Sequence, residues 1–228
     1  VSFQIYSQNV KDEILNINKA YLKSKDIALE TITKAYTEDD SKPEKEMKTE
    51  LYKLNENYLS KTGASETMIN KKYKVNIDVN KKIIIISNIN THQKNPDNSI
   101  SNFDEKAFNV SMDTVLTLYK EVKINKINAT TNQVEFIFKS GIYDIVKVSY
   151  DNTTYIVKDY YVKLRPSGKS SKEKEILKYL ITYNYFPKEK LQKIKFDESN
   201  YVIINKGNVT PVLKYSGFKI INNIKNSL

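Results

Sequence analysis

Between residues 9 and 37 the apolar positions Val10, Ile14, Ile17, Tyr21, Ala28, Ile32 and Ala35 recur at helical spacing, with Leu15, Leu22 and Leu29 beside them. A stripe this wide predicts one long amphipathic helix. Glu38, Asp39 and Asp40 then lead into Ser41 and Pro43, a helix-start signal in which proline fits the first turn and Glu44 and Glu46 suit the positive end of the dipole. Met47, Leu51, Leu54 and Tyr58 line one face of the helix this predicts, running to about Lys61, and Gly63 is placed to close it in a left-handed conformation. Residues 1–66 therefore read as a helical hairpin.

From Lys72 the period falls to two. Tyr73, Val75, Ile77 and Val79 alternate with polar residues, Asn80-Lys81 makes a turn, and a second strand covers 82 to 87. Residues 90 to 102, with Pro96-Asp97-Asn98, lack periodicity and read as a long loop. Met112, Val115, Leu116 and Tyr119 suggest a short helix behind a Ser111 cap. Strand patterns follow at 122 to 128, 133 to 140, 142 to 150 and, after an Asp151-Asn152 turn, 153 to 163, and their short turns predict an antiparallel meander. Arg165-Pro166-Ser167-Gly168 ends it. Lys172 to about Tyr185 reads as a helix through Ile176, Leu177, Leu180 and Ile181, stopped by Pro187. Tyr201 to Asn205, a Lys206-Gly207 turn, Val209 to Leu213 and Phe218 to Ile221 read as a terminal hairpin. The predicted fold is α+β: the N-terminal helical hairpin packed on a curved antiparallel sheet, with residues 67–228 supplying the sheet, a C-terminal helix and a β-hairpin, all in one compact domain.

Composition adds exclusions. The chain has 228 residues, 39% of them apolar, with seventeen Tyr and eight Phe, enough to bury a core. It has no Cys, which removes disulfides and thiolate chemistry, and no Trp. The longest apolar run, Ile83 to Ile86, is a strand's length, so no helix spans a membrane. The chain opens on Val1 rather than Met and reads as a segment whose targeting region lies upstream. Net charge is +10, and every basic residue except Arg165 is lysine. Lysine is a hydrated point charge without the bidentate fork of arginine. Lys, Asn, Ile and Tyr share adenine- and thymine-rich codons, so base composition accounts for most of that excess. Charge is nonetheless uneven: −2 over residues 1–70, +4 over 71–164 and +8 over 165–228.

Candidate chemistry is sparse. Gly168-Lys169-Ser170 lies between a predicted strand and helix, as a phosphate loop would, but Lys163 stands where a Walker A glycine belongs and Pro166 removes a donor, leaving a capping loop. His92, the single histidine, sits in the polar loop near Asp97, too little for zinc or a nucleophilic triad. The carboxylate pairs Asp12-Glu13, Asp104-Glu105 and Glu173-Glu175 fit helix first turns better than a glycosidase. No catalytic, metal or cofactor residues are assigned, and the chain is expected not to be an enzyme. Lysines interleave with tyrosines from 178 to 201, and Lys178, Tyr179, Lys188, Lys190, Lys193 and Lys195 are the candidate surface for a polyanion on which rings stack while ammonium groups track charge. Packing of the rings and lysine stems is the competing explanation.

The excess of lysine over arginine, abundant Asn and Ile and the absence of cysteine resemble outer-surface lipoproteins of Borrelia-type spirochaetes. That resemblance implies an exported, lipid-anchored binding or adhesion module at the cell surface, with a host protein or acidic polysaccharide as partner and the membrane reached only through an upstream anchor. The strands from 122 to 163, ending in Thr154-Tyr155-Ile156-Val157-Lys158-Asp159, are similar to the sheet of NTF2-like domains, which implies as alternative a scaffold subunit of a secretion or conjugation machine on the periplasmic side. A nucleic-acid-binding protein is the third reading.

Overall fold

Alternation, rather than helical spacing, governs most of this chain. The structure, a computed structural model, describes residues 2–23, 26–37, 41–89, 115–167 and 175–224. It is 55% strand and 15% helix, which overturns the predicted helical hairpin on a sheet.

One helix, α1 (Ser2–Lys23), opens the chain. Where the long helix was expected to continue, Asp26–Tyr36 is instead a strand, β1. Its Ile27, Thr31, Ile32 and Thr33 are β-branched, stiff at χ1 and poor in helices, and Ile27, Ala28, Leu29 and Ala35 are buried. The second predicted helix is a hairpin of β2 (Lys45–Leu54) and β3 (Asn57–Thr62), turned at Asn55 with φ 55°. Gly63 does adopt a left-handed conformation, but in the turn from β3 to β4 (Ser65–Ile69) rather than at a helix end. The predicted helix from Lys172 fails likewise: Lys178–Tyr185 is a strand, β11, on which Tyr179, Ile181 and Tyr183 alternate with Lys178, Leu180 and Thr182. Residues 168–174 lie outside the described residues.

The other strands match expectation closely: β5 (Tyr73–Asp78), β6 (Ile83–Asn88), β7 (Tyr119–Lys126), β8 (Thr131–Phe138), β9 (Tyr143–Asp151) and β10 (Val157–Leu164). After Pro187 comes a single-turn helix, α2 (Lys188–Gln192), then the hairpin of β12 (Val202–Asn205) and β13 (Asn208–Pro211) about Lys206-Gly207, and β14 (Lys219–Asn223). The last strand does not extend that hairpin; it pairs parallel with β6, Ile220 opposite Ile84. Twelve strands form one sheet in the order β14-β6-β5-β4-β3-β2-β1-β11-β10-β9-β8-β7. Residues 115 and 116 end a helical turn whose predicted start at Ser111 lies outside the described residues.

The chain divides into two units, residues 1–24, 32–47 and 97–184, and residues 25–31, 48–96 and 185–228. In the second unit one row of side chains runs across five strands, Tyr52, Leu59, Met68, Val75 and Ile86, set by their direct pairing. All five are at most 4% exposed, sealed by Leu191, Tyr201, Val202 and Tyr215 of the C-terminal segment. Each such side chain stabilises the fold by roughly 1.5–3 kcal/mol. In the first unit the helix α1 is tied to the sheet by a hydrogen bond from the Tyr150 hydroxyl to Glu13, and Val10 and Leu15 are buried.

Candidate functional site

Strands β7 to β11 of the first unit present two parallel rows to the same face. Val122, Phe136, Val146, Val162 and Tyr179 pair in direct succession, and beside them run Ile124, Val134, Val148, Tyr160 and Ile181. Ten apolar or aromatic side chains in register would make a core if covered. Only Val134, Val146 and Val162 are buried; the other seven are half-buried. Tyr150, two residues on from Val148 and on the same face of β9, bonds Glu13, so α1 covers part of these rows, and the seven half-buried side chains are the part that the described residues leave partly exposed.

Aromatic rings gather at one end of these rows. Tyr119 lies 4.9 Å from Phe136 and 4.8 Å from Phe138, and Phe138 lies 5.6 Å from Tyr143, centroid to centroid. Burial pushes the phenols of Tyr119, Tyr160 and Tyr183 above their ordinary pKa, and the neighbouring phenols of Tyr143, Tyr183 and Tyr119 push Tyr160 the same way. These hydroxyls stay neutral at physiological pH and can each donate one hydrogen bond. The opposite face of the same strands mixes Ile137, Ile145, Tyr161 and Leu180 with charged pairs that neutralise one another. Glu135 pairs with Lys147 at 3.3 Å, Lys147 lies over the Tyr161 ring, and Lys163 meets Asp144 at 3.3 Å.

The residues singled out from the sequence fare differently from one another. Lys178 and Tyr179 belong to β11 of the first unit, Lys178 opposite Lys163 and Tyr179 within the apolar row. Lys188, Lys190, Lys193 and Lys195 belong to the second unit, on and after α2. Lys188, Lys193 and Lys195 are exposed, whereas Lys190 holds its ammonium 3.2 Å from the Phe186 ring centroid and 5.7 Å from that of Tyr52. Lys190 is thus engaged in packing. Tyr201, in the same interleaved stretch, is buried with its hydroxyl donated to Glu66. His92, Asp97, Asp104, Glu105, Glu173 and Gly168-Lys169-Ser170 lie outside the described residues. Glu13 accepts from Tyr150, and Glu175 accepts from the Ser167 amide at 3.0 Å, so each carboxylate serves a structural bond.

No group of three or more His, Asp or Glu that could hold a metal occurs among the described residues. A shallow cleft of about 250 Å3 opens on the second unit, lined among others by Thr67, Asn76, Asp78 and Ile85. Its carboxylates are already engaged, Glu66 with Tyr201 and Asp78 with Lys81 at 3.2 Å. Among the described residues no helix is long and apolar enough to cross a membrane.

The apolar face was within reach of the sequence: Val122-x-Ile124, Val134-x-Phe136 and Val146-x-Val148 mark the strands that carry it. What alternation omits is the depth of cover, which depends on what lies above the strands.

No family model and no curated protein matches the sequence. Solved structures similar to it include an uncharacterized conserved protein from Thermus thermophilus, 6% identical, covering 94% of this chain and 99% of that one with a TM-score of 0.42. The Mycobacterium tuberculosis lipoprotein LppX is 8% identical over 83% of this chain and 99% of its own, with a TM-score of 0.36. A LolA superfamily protein from Nitrosomonas europaea is 11% identical over 78% and 96%, with a TM-score of 0.28. Likeness at this level assigns no function, and the chain's own residues have to carry one.

Proposed function

We propose that this chain is a non-catalytic binding protein of the bacterial envelope, whose first unit holds a slender apolar ligand such as an acyl chain against the face of β7 to β11. One observation carries the reading: seven of ten in-register apolar side chains on that face are only half-buried. The matching row of the second unit is closed. Val, Ile and Phe supply non-directional contact area, and the phenols of Tyr160 and Tyr183, which have no hydrogen-bond partner among the described residues, offer donors to a carboxylate or ester at one end of the ligand. An acyl chain of about ten carbons gains roughly 8 kcal/mol on full burial before ordering costs, so micromolar is the tightest affinity expected. The envelope location rests on the composition and on its resemblance to exported spirochaete lipoproteins.

The chain lacks tryptophan, so Phe136→Trp installs one reporter on the face. Fatty acids brominated along the tail should quench it saturably. A control reporter, Tyr58→Trp on β3, should not respond. Ile181→Glu should weaken uptake of a fluorescent fatty acid at least tenfold while circular dichroism shows an unchanged fold. Folded protein that takes up no acyl chain, or that quenches equally at both reporters, overturns the proposal.

A further inference from the structure

The second unit carries a corner at which exposed apolar side chains and uncompensated lysines meet. Leu213 opens a 3-10 turn, Leu213–Tyr215, and is 92% exposed. The turn is not loose: the amides of Tyr215, Ser216 and Phe218 bond the carbonyls of Val212, Leu213 and Tyr215 at 2.8 to 3.0 Å, and Tyr215 is buried, packed against Tyr201 and Phe218. Four residues on, the Lys219 amide bonds the Lys82 carbonyl at 2.8 Å, which fixes this turn beside the one joining β5 to β6. That second turn presents Val79, 48% exposed, and Lys82.

A leucine held almost wholly in water on an ordered turn contributes nothing to the core beneath it. Around it stand Lys82, Lys214 and Lys219, all exposed, with no carboxylate within ion-pair distance among the described residues. Lys81, which does have one, is neutralised by Asp78 at 3.2 Å. Lys214 also lies over the Tyr215 ring at 4.9 Å, and an apolar tip flanked by it and by Lys82 and Lys219 is complementary to an interface that is anionic outside and apolar just beneath. We infer that this corner is a docking point for an anionic lipid surface, with Leu213 and Val79 entering the headgroup region and Lys82, Lys214 and Lys219 lying among the phosphates. It stands independently of ligand uptake by the first unit.

Co-sedimentation with vesicles of phosphatidylglycerol mixed with phosphatidylcholine, against phosphatidylcholine alone, tests it. The intact chain should bind the mixed vesicles, release them at high salt and ignore the neutral ones. Leu213→Glu should weaken binding about tenfold or more, and each of Lys82→Glu, Lys214→Glu and Lys219→Glu should weaken it about fivefold or more. These side chains are exposed, so unchanged thermal melting is expected and serves as the folding control. Lys188→Glu with Lys193→Glu, lysines elsewhere on the same unit, should cost less than any single change at the corner. Failure to bind mixed vesicles at low salt overturns the inference. So does equal loss in the Lys188 and Lys193 control, or wild-type binding by Leu213→Glu. Retention on heparin that is indifferent to Leu213, without vesicle binding, would assign the corner to soluble polyanions and overturn it as well.

Discussion

Tyr150 and Tyr201 solve one problem in the two units. Each is a buried phenol whose hydroxyl is donated to a carboxylate far away in sequence, Glu13 for Tyr150 and Glu66 for Tyr201. Burial pushes both phenols up, and the facing carboxylates push them further. A phenol whose folded pKa is raised contributes stability in full below its ordinary value near 10, and loses it as pH climbs through the folded value. Stability should therefore hold up to about pH 10 and fall as pH rises above it, measured by denaturant titration. Tyr201→Phe should cost about 1–3 kcal/mol at neutral pH, by leaving Glu66 without its donor, and should make the alkaline loss shallower. An equally steep loss in that variant would refute the assignment. Asp151 has the opposite sign. The amides of Thr154 and Thr153 bring its carboxyl down to about 2, so its contribution is present above the ordinary carboxylate range and fades as pH drops through that value. Arg165 is the one basic residue whose replacement by lysine is expected to matter. Its guanidinium donates to the carbonyls of Gly141, at 3.0 Å, and Phe138, bracing the turn between β8 and β9, and it lies 3.7 Å from Asp144. Lysine cannot span both carbonyls, so Arg165→Lys should lower stability by about 1–2 kcal/mol in a denaturant melt. No measurable change would mean that the turn holds without the fork.

At the scale of elements, the period-two stretches were legible and the mixed ones were not. Strands β5 to β10 carry alternation with turn residues between them, and their positions follow from that alone. Residues 26–36 and 45–62 carry apolar residues that satisfy both periods: Met47, Leu51, Leu54 and Tyr58 fit one helical face, while Tyr52, Leu54 and Leu59 fit one face of a hairpin. Local pattern cannot choose between them. The strand form wins because Tyr52 and Leu59 pair into a buried row with Met68 and Val75, contacts that no isolated helix would gain. Gly63 shows the same ambiguity in one residue, since a left-handed glycine serves a helix end and a tight turn alike. With φ 55° and no atom within 4 Å of an added Cβ, Gly63→Ala should cost only the backbone term, about 1 kcal/mol. Lys206, left-handed at φ 48° without being glycine, should conversely gain up to about 1 kcal/mol on Lys206→Gly, read from a thermal melt. If both changes are neutral, neither turn is under conformational strain.

For the whole molecule, the sequence carried the residues of both faces but not how thoroughly each would be covered. Of the lysines and tyrosines interleaved from 178 to 201, Lys190 packs on the Phe186 ring and Tyr201 holds a buried hydrogen bond, whereas Tyr179 stands in the half-buried apolar row of the first unit. The apolar rows of the first unit, marked in the sequence only by strand alternation, keep most of their side chains half-buried. Each unit therefore has its own expected response in native-state hydrogen exchange. Amides of Val75, Ile84 and Ile86, whose side chains are 0% exposed, should exchange through the largest opening of the second unit. Amides at Val122 and Ile124, beneath half-buried side chains on the sheet's terminal strand, should exchange faster. A saturating fatty acid should slow exchange in β7 to β11 by the factor set by its concentration over its dissociation constant, up to the point where local opening no longer exposes the face. It should leave β5 and β6 unchanged. Equal slowing in both units would show that the ligand acts through the general folding equilibrium, and unchanged exchange in β7 to β11 with ligand bound would move the binding site away from this face.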